Sequence, residues 1–182
     1  TSGEQISVEE QPPQSCECHV ASSFDTGDMV WGVSSIMVHG DPAVPIIASA
    51  SHDGSVYLKF PLAKNASKSA SAHKDEVWAV ELVKSYYTHW YEGRNVHIVS
   101  ASLDGTVQLW DVEENGAPRH KQALHNSSFM VTALAADKQY VAAGDKSGTI
   151  KLWESTRLHA GSSTPVVLQA DERPITALAF AL

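Results

Sequence analysis

Four short apolar runs along this chain share one pattern: Met29–Val30–Trp31–Gly32–Val33, Glu76–Val77–Trp78–Ala79–Val80, Met130–Val131–Thr132–Ala133–Leu134 and Pro174–Ile175–Thr176–Ala177–Leu178. With Val30, Val77, Val131 and Ile175 taken as equivalent, the spacings are 47, 54 and 44 residues. Each of the first three runs is followed by a second β-rich stretch: Pro45–Ile46–Ile47–Ala48–Ser49, Val96–His97–Ile98–Val99–Ser100 and Tyr140–Val141–Ala142–Ala143. A glycine turn and a third β-rich stretch come next, at Gly54, Gly105 and Gly148. Asp-Gly between two β-rich runs predicts a hairpin, because glycine accepts the positive φ that such turns need. Ser-, Ala- and His-rich stretches between the repeats carry a weaker outer strand, and no sustained helical period is present. The pattern predicts four strands per repeat, ordered inner a, then b, c and outer d. Self-similarity at roughly 40–50 residues predicts a radially repeated all-β fold whose blades bury their faces against one another.

Residues 1 to about 15 are acidic and poor in large apolar groups, and read as a flexible tail. Residues 16–182 read as the repeat segment, with repeat one at about 25–62, repeat two at about 73–118 and repeat three at about 125–160. A fourth repeat begins at about 170–182. Adding a strand near Cys16 to Phe24 brings the expectation to about 14 strands, or about 3.5 blades.

The stretch Ser100–Ala101–Ser102–Leu103–Asp104–Gly105–Thr106–Val107–Gln108–Leu109–Trp110–Asp111 resembles the ending of a WD repeat, the unit of WD-repeat β-propellers. Altered copies are Lys146–Ser147–Gly148–Thr149–Ile150–Lys151–Leu152–Trp153–Glu154 and Asp53–Gly54–Ser55–Val56–Tyr57–Leu58–Lys59–Phe60. The resemblance covers roughly residues 25 to 182 and implies a partial β-propeller of four-stranded antiparallel blades. In that family His, Ser, Asp and Trp of one repeat form a hydrogen-bonded chain tying the d–a loop to strands b and c. The matching residues here are His73, Ser100, Asp104 and Trp110. Repeat three keeps His125 and Trp153, but Ser147 stands at the Asp position and Ala143 at the Ser position, so its network is expected to be partial. Repeat one keeps Ser49 and Asp53, with Lys59 where Trp belongs and Phe60 one residue on, which implies a loosely specified first blade. A Ser/His/Asp set can also be a nucleophile site; the spacing matches the structural arrangement instead, so no catalytic residue is expected. WD propellers usually close with about seven blades. The chain is therefore expected to be a piece of a longer propeller, to close a ring by self-association, or to be completed by another partner.

Composition narrows the functional classes. Hydrophobic residues are 43% and charged residues 19%, an ordinary globular balance. The net charge of −8 disfavours nucleic acid, and Lys59, Lys64, Lys68 and Lys74 read as a solvated strand and loop. Cys16, Cys18 and His19 lack a second ligand cluster, so neither a metal nor a cofactor is expected. No apolar run reaches membrane-span length and no signal peptide opens the chain, which gives an expectation of an intracellular protein, cytoplasmic or nuclear.

The repeats differ most in the a–b connection. From the reference residue of strand a to the turn glycine takes 24 residues in repeat one, 28 in repeat two and 17 in repeat three. Insertions at equivalent connections fall on one face, often the binding face. The repeat-two insert carries Tyr86, Tyr87, His89, Trp90, Tyr91 and Arg94, the residue types that dominate interfaces, and these are the expected partner-binding residues. The opposite face offers Asp53, Asp75, Glu76, Asp104, Lys146 and Asp171, an acidic rim suited to a basic segment. Neither the W-D-x-R signature of cullin-ligase receptors nor the Phe-Arg-Arg-Gly motif of phosphoinositide-binding propellers is present. The expected role is a non-catalytic protein–protein interaction scaffold or adaptor within a multiprotein complex. The alternative is a recognition module of a larger enzyme or ligase complex.

Overall fold

The computed structural model of the protein describes residues 25–38, 44–60, 67–84, 96–113, 116–158, 164–170 and 172–181. Among these residues, three four-stranded antiparallel sheets form consecutively along the chain. The first is β1 (Val30–Val38), β2 (Val44–Ser51), β3 (Ser55–Lys59) and β4 (Ser67–Ser71). The second is β5 (Val77–Lys84), β6 (Val96–Ser102), β7 (Thr106–Val112) and β8 (Pro118–Asn126). The third is β9 (Val131–Ala136), β10 (Tyr140–Asp145), β11 (Thr149–Glu154) and β12 (Val166–Gln169). Each sheet pairs its strands in chain order, which is the a, b, c, d order of a propeller blade.

The b–c register is the same in all three blades: Ser49 faces Tyr57, Ser100 faces Gln108 and Ala143 faces Lys151. Strand a carries an irregularity at one equivalent place in each blade. Pairing skips Trp31 in β1 and Trp78 in β5, and slips beside Thr132 in β9. A bulge of this kind re-aims the extra side chain out of the ladder. The b–c turn depends on glycine. Gly105 has φ +83°, and a Cβ there would run into the carbonyl oxygen of Ser127.

The core lies between blades. Ile46, Ala48, Val56 and Leu58 of blade one pack with Val77, Val80, Ile98 and Trp110 of blade two. Val99, Val107 and Leu109 of blade two pack in turn with Val131, Leu134, Val141 and Trp153 of blade three. Both faces of the central blade are thus buried, which explains why β6 is buried at every position. Full burial of one such aliphatic side chain stabilises by about 1.5–3 kcal/mol.

The structure departs from expectation in two places. Residues 172–181, expected to open a fourth repeat with an inner strand, form no ladder, because no described residue lies where a strand b would pair with them. They lie instead against blade three: Ile175 N donates to Asp145 O (3.1 Å), and Thr132 Oγ1 donates to Ile175 O (2.6 Å). Twelve strands and three complete blades are therefore present among the described residues, and the strand expected near Cys16 to Phe24 lies outside them. The second departure is a one-turn helix, α1 (Ser155–Leu158), which follows β11 and seats a fully buried Leu158 in the second seam. Four residues are too few to show helical periodicity.

Candidate functional site

His73, Ser100, Asp104 and Trp110 come together in blade two. His73 follows β4 in the d–a loop, Ser100 is on β6, Asp104 opens the b–c turn and Trp110 is on β7. Trp110 Nε1 donates to Ser100 Oγ (2.8 Å), and Ser100 Oγ lies 2.7 Å from His73 Nε2. His73 Nδ1 is 2.9 Å from Thr106 Oγ1 and 3.4 Å from Asp104 Oδ2. Thr106 Oγ1 donates to Asp104 Oδ1 at 2.6 Å. The donors settle the direction. The Asp104 carboxylate can only accept and Thr106 Oγ1 already donates to it, so His73 carries its proton on Nδ1, facing Asp104 and Thr106; Nε2 of the neutral ring then accepts from the Ser100 hydroxyl, whose oxygen accepts from the indole.

Burial pushes the His73 pKa below its ordinary value, and the neighbouring Asp104 charge opposes this without reversing it. The ring is therefore neutral at pH 7. Burial disfavours the charged form of Asp104, yet hydrogen bonds from Thr106 and from the Lys74 amide (2.8 Å) outweigh it and hold the carboxyl below the usual range. Ser100 is wholly buried. Its oxygen accepts from Trp110 while its proton is given to His73, so both of its polar functions are engaged within the fold.

Blade three lacks this arrangement. The motif reading takes His125 as the counterpart of His73, but it sits within β8, opposite Val107. The structural counterpart of His73 is Ser127, since the carbonyls of His73 and Ser127 lie over Gly54 and Gly105 respectively. Counting back from strand a agrees, since His73 stands four residues before Val77 and Ser127 four before Val131, while His125 stands six before it; β7 and β8 absorb the extra residues by slipping at Val107/Gln108 and at Leu109/Trp110. His125 Nδ1 instead lies 2.7 Å from Lys151 Nζ. Burial first, and then the Lys151 charge, pushes its pKa down. With Ala143 at the serine position, Trp153 Nε1 and His125 Nε2 are buried without a hydrogen-bond partner.

Asp145, which the motif spacing does not single out, takes over the turn. It accepts from Ser147 N (2.9 Å), Ser147 Oγ (2.5 Å) and Thr149 N (3.2 Å). The signal for it is local, an Asp two residues before Ser-Gly that can cap the turn with its own carboxylate. In blade one, Ser49 Oγ is buried and unpartnered, and Lys59 stands opposite Ile47, the place held by Trp110 opposite Ile98. Tyr57 supplies a different closure, with its hydroxyl 2.8 Å from Asp53 Oδ2. Tyr86, Tyr87, His89, Trp90, Tyr91 and Arg94 lie outside the described residues, as do Lys64 and Asp171.

A groove of about 250 Å³ runs along the inner strands, lined by Trp31, Val33, Trp78, Glu81, Thr132 and Thr176 among others. The two bulge indoles stack across the blade boundary, with centroids 4.8 Å apart and planes 26° apart. They remain 41% and 38% exposed. Gly32 permits this approach, because a Cβ there would lie 3.2 Å from the carbonyl oxygen of Trp78 and 3.3 Å from Ala79 Cα. His52 stands beside Trp31 and within 3.3 Å of Asp28 and 3.1 Å of Glu76.

Three blades stacked in chain order define a radially repeated β-propeller segment. The WD domain, G-beta repeat family matches residues 65–111 and 116–154, so the chain carries two repeats similar to those of WD-repeat β-propellers. Mitochondrial division protein 1 of Pyricularia oryzae (strain 70-15 / ATCC MYA-4617 / FGSC 8958) is 27% identical over 88 residues, 48% of this chain; the chain spans 12% of that protein's length. The computationally designed Ika4 protein superposes with a TM-score of 0.62 at 22% identity, covering 88% of this chain and 84% of Ika4. Sqt1 of Saccharomyces cerevisiae superposes with a TM-score of 0.61 at 16% identity, covering 83% of this chain and 38% of Sqt1. At these identities the two structures speak to fold alone. WD repeats in general indicate a protein-interaction scaffold or adaptor, and the propeller is typically a non-catalytic fold. Among the described residues, no helix is long and apolar enough to cross a membrane.

Proposed function

We propose that the chain is a non-catalytic scaffold or adaptor subunit of an intracellular multiprotein complex. The observation that carries this reading is the stacking of three blades through two apolar seams, which holds the connecting loops on a stiff frame. Loops held in this way bind a partner at low ordering cost. The best-formed polar cluster is consumed in its own hydrogen bonds, which favours architecture over chemistry. In the same proposal, His73, Ser100, Asp104 and Trp110 lock the d–a loop to the blade, and Tyr86, Tyr87, His89, Trp90, Tyr91 and Arg94 contact the partner.

The test is affinity purification from cells with wild-type chain and a Tyr87→Ala/Trp90→Ala variant. A specific protein that co-purifies with the wild type and is lost with the variant, at unchanged melting temperature, supports the reading. A large fall in melting temperature would assign those aromatics to packing instead.

A second reading, the recognition module of a larger enzyme or ligase complex, is favoured by the match to 12% of a longer protein. Completion of the ring by further blades is supported by residues 172–181, which run beside blade three without a strand to pair with among the described residues. Light scattering separates the possibilities. A monomer weighs 19.6 kDa, and twice that mass would mark closure by a second copy.

A further inference from the structure

We propose that the groove between Trp31, Trp78 and Glu81 is the seat of an arginine side chain, presented by a basic segment of a protein partner. This rests on the scaffold reading and deepens it by naming what the scaffold holds. Three observations converge on it.

The first is the aromatic surface. Trp31 and Trp78 are bulge residues turned out of their ladders, and their stacked indoles are more than a third exposed. Large rings exposed in this way mark a contact surface, and indole faces attract cations more strongly than other aromatic faces do.

The second is the charge. Glu81 lines the same groove and accepts a hydrogen bond from Ser34 Oγ at 2.9 Å, and no cation lies within ion-pair distance of it among the described residues. Burial raises its pKa, so the carboxylate gains from an incoming positive charge. Asp28 and Glu76 flank the indole end through His52, and the chain carries a net charge of −8. The field around the groove thus attracts a basic segment.

The third is shape. A planar guanidinium can stack on an indole while its N–H edge reaches a carboxylate, whereas an ammonium has no plane to stack. The class that satisfies ring, carboxylate and field together is an arginine-bearing peptide.

The probe is acetyl-arginine amide titrated into the full chain, with acetyl-citrulline amide as the neutral match. Binding is read from the indole N–H resonances, assigned through Trp31→Phe and Trp78→Phe. Arginine should shift the Trp31 and Trp78 signals, leave Trp110 and Trp153 in place, and outcompete citrulline. Glu81→Gln should weaken arginine binding about tenfold, the loss expected of one charge-assisted hydrogen bond. Trp78→Phe should weaken it while the melting temperature holds. Absence of a shift, equal shifts from citrulline, or full binding by Glu81→Gln would overturn the proposal. Partner co-purification that persists in Glu81→Gln would overturn it too, and would leave the scaffold reading standing.

Discussion

The indole nitrogen of Trp110 donates to the hydroxyl of Ser100 at 2.8 Å, while the equivalent Trp153 has no acceptor because Ala143 stands in the serine's place. In blade two, removing the hydroxyl leaves two buried nitrogens unpaired, Trp110 Nε1 and His73 Nε2. Ser100→Ala should therefore destabilise by about 1–3 kcal/mol. For a chain of this size that lowers the melting temperature by roughly 2–4 °C per kcal/mol. Thermal denaturation checks it, and a double-mutant cycle with Trp110→Phe should be non-additive because both changes break one chain of bonds.

The reverse change is the sharper test. Ala143→Ser places a hydroxyl at the register position of Ser100, where it can accept from the unpartnered Trp153 Nε1. Lys151 donates to His125 Nδ1, so the His125 proton resides on Nε2 and His125 has its own partner on the other nitrogen. The variant should be stabilised by about 1 kcal/mol. An unchanged or lower melting temperature would mean that the Ala143 site has no room for the hydroxyl.

Protonation of the histidines couples stability to pH. Burial, opposed by Asp104, depresses His73; burial, aided by Lys151, depresses His125. A histidine with a lowered folded pKa contributes stability that is present above its ordinary value of 6.5. That contribution is lost as pH falls below 6.5, because the unfolded chain takes up protons the folded chain refuses. The urea midpoint should fall as pH drops through and below 6.5. NMR should show the His73 imidazole still largely neutral at the pH where a free imidazole is half protonated. A His73 ring that titrates at or above 6.5 would contradict the assignment.

Two glycines with positive φ separate strain from crowding. A methyl added at Gly27 (φ +80°) would meet nothing within 4 Å, whereas one at Gly105 (φ +83°) would collide with the Ser127 carbonyl. Gly27→Ala should cost about 1–2 kcal/mol, the left-handed penalty alone. Gly105→Ala should cost clearly more, since the d–a loop must also move. Chemical denaturation of both variants measures the difference, and equal costs would show that the loop yields freely.

Much of this architecture is legible along the chain because it is local. A hairpin is specified by its glycine turn and its flanking β-rich runs, so the order a, b, c, d follows from spacing within one repeat, while the meeting of His73, Ser100, Asp104 and Trp110 is what the resemblance to WD repeats implies. The same logic marks Ala143 and Lys59 as departures from the motif. His125 is not the counterpart of His73: it stands six residues before Val131, whereas His73 stands four before Val77, and Ser127 holds the four-residue place. The motif also passes over Asp145, whose role depends on the serine turn folding back on its own carboxylate.

What the sequence by itself determined is the blade: strand number and strand order are the product of short-range patterning, and the hydrogen-bonded core of repeat two is implied by its resemblance to a WD repeat. What only the tertiary structure decided lies between blades. The stacking of Trp31 on Trp78, the glycine that admits it and the groove that contains Glu81 join residues 47 positions apart. Periodicity cannot announce such contacts, because they depend on how closely two finished sheets approach and on bulges that turn a side chain out of its own ladder.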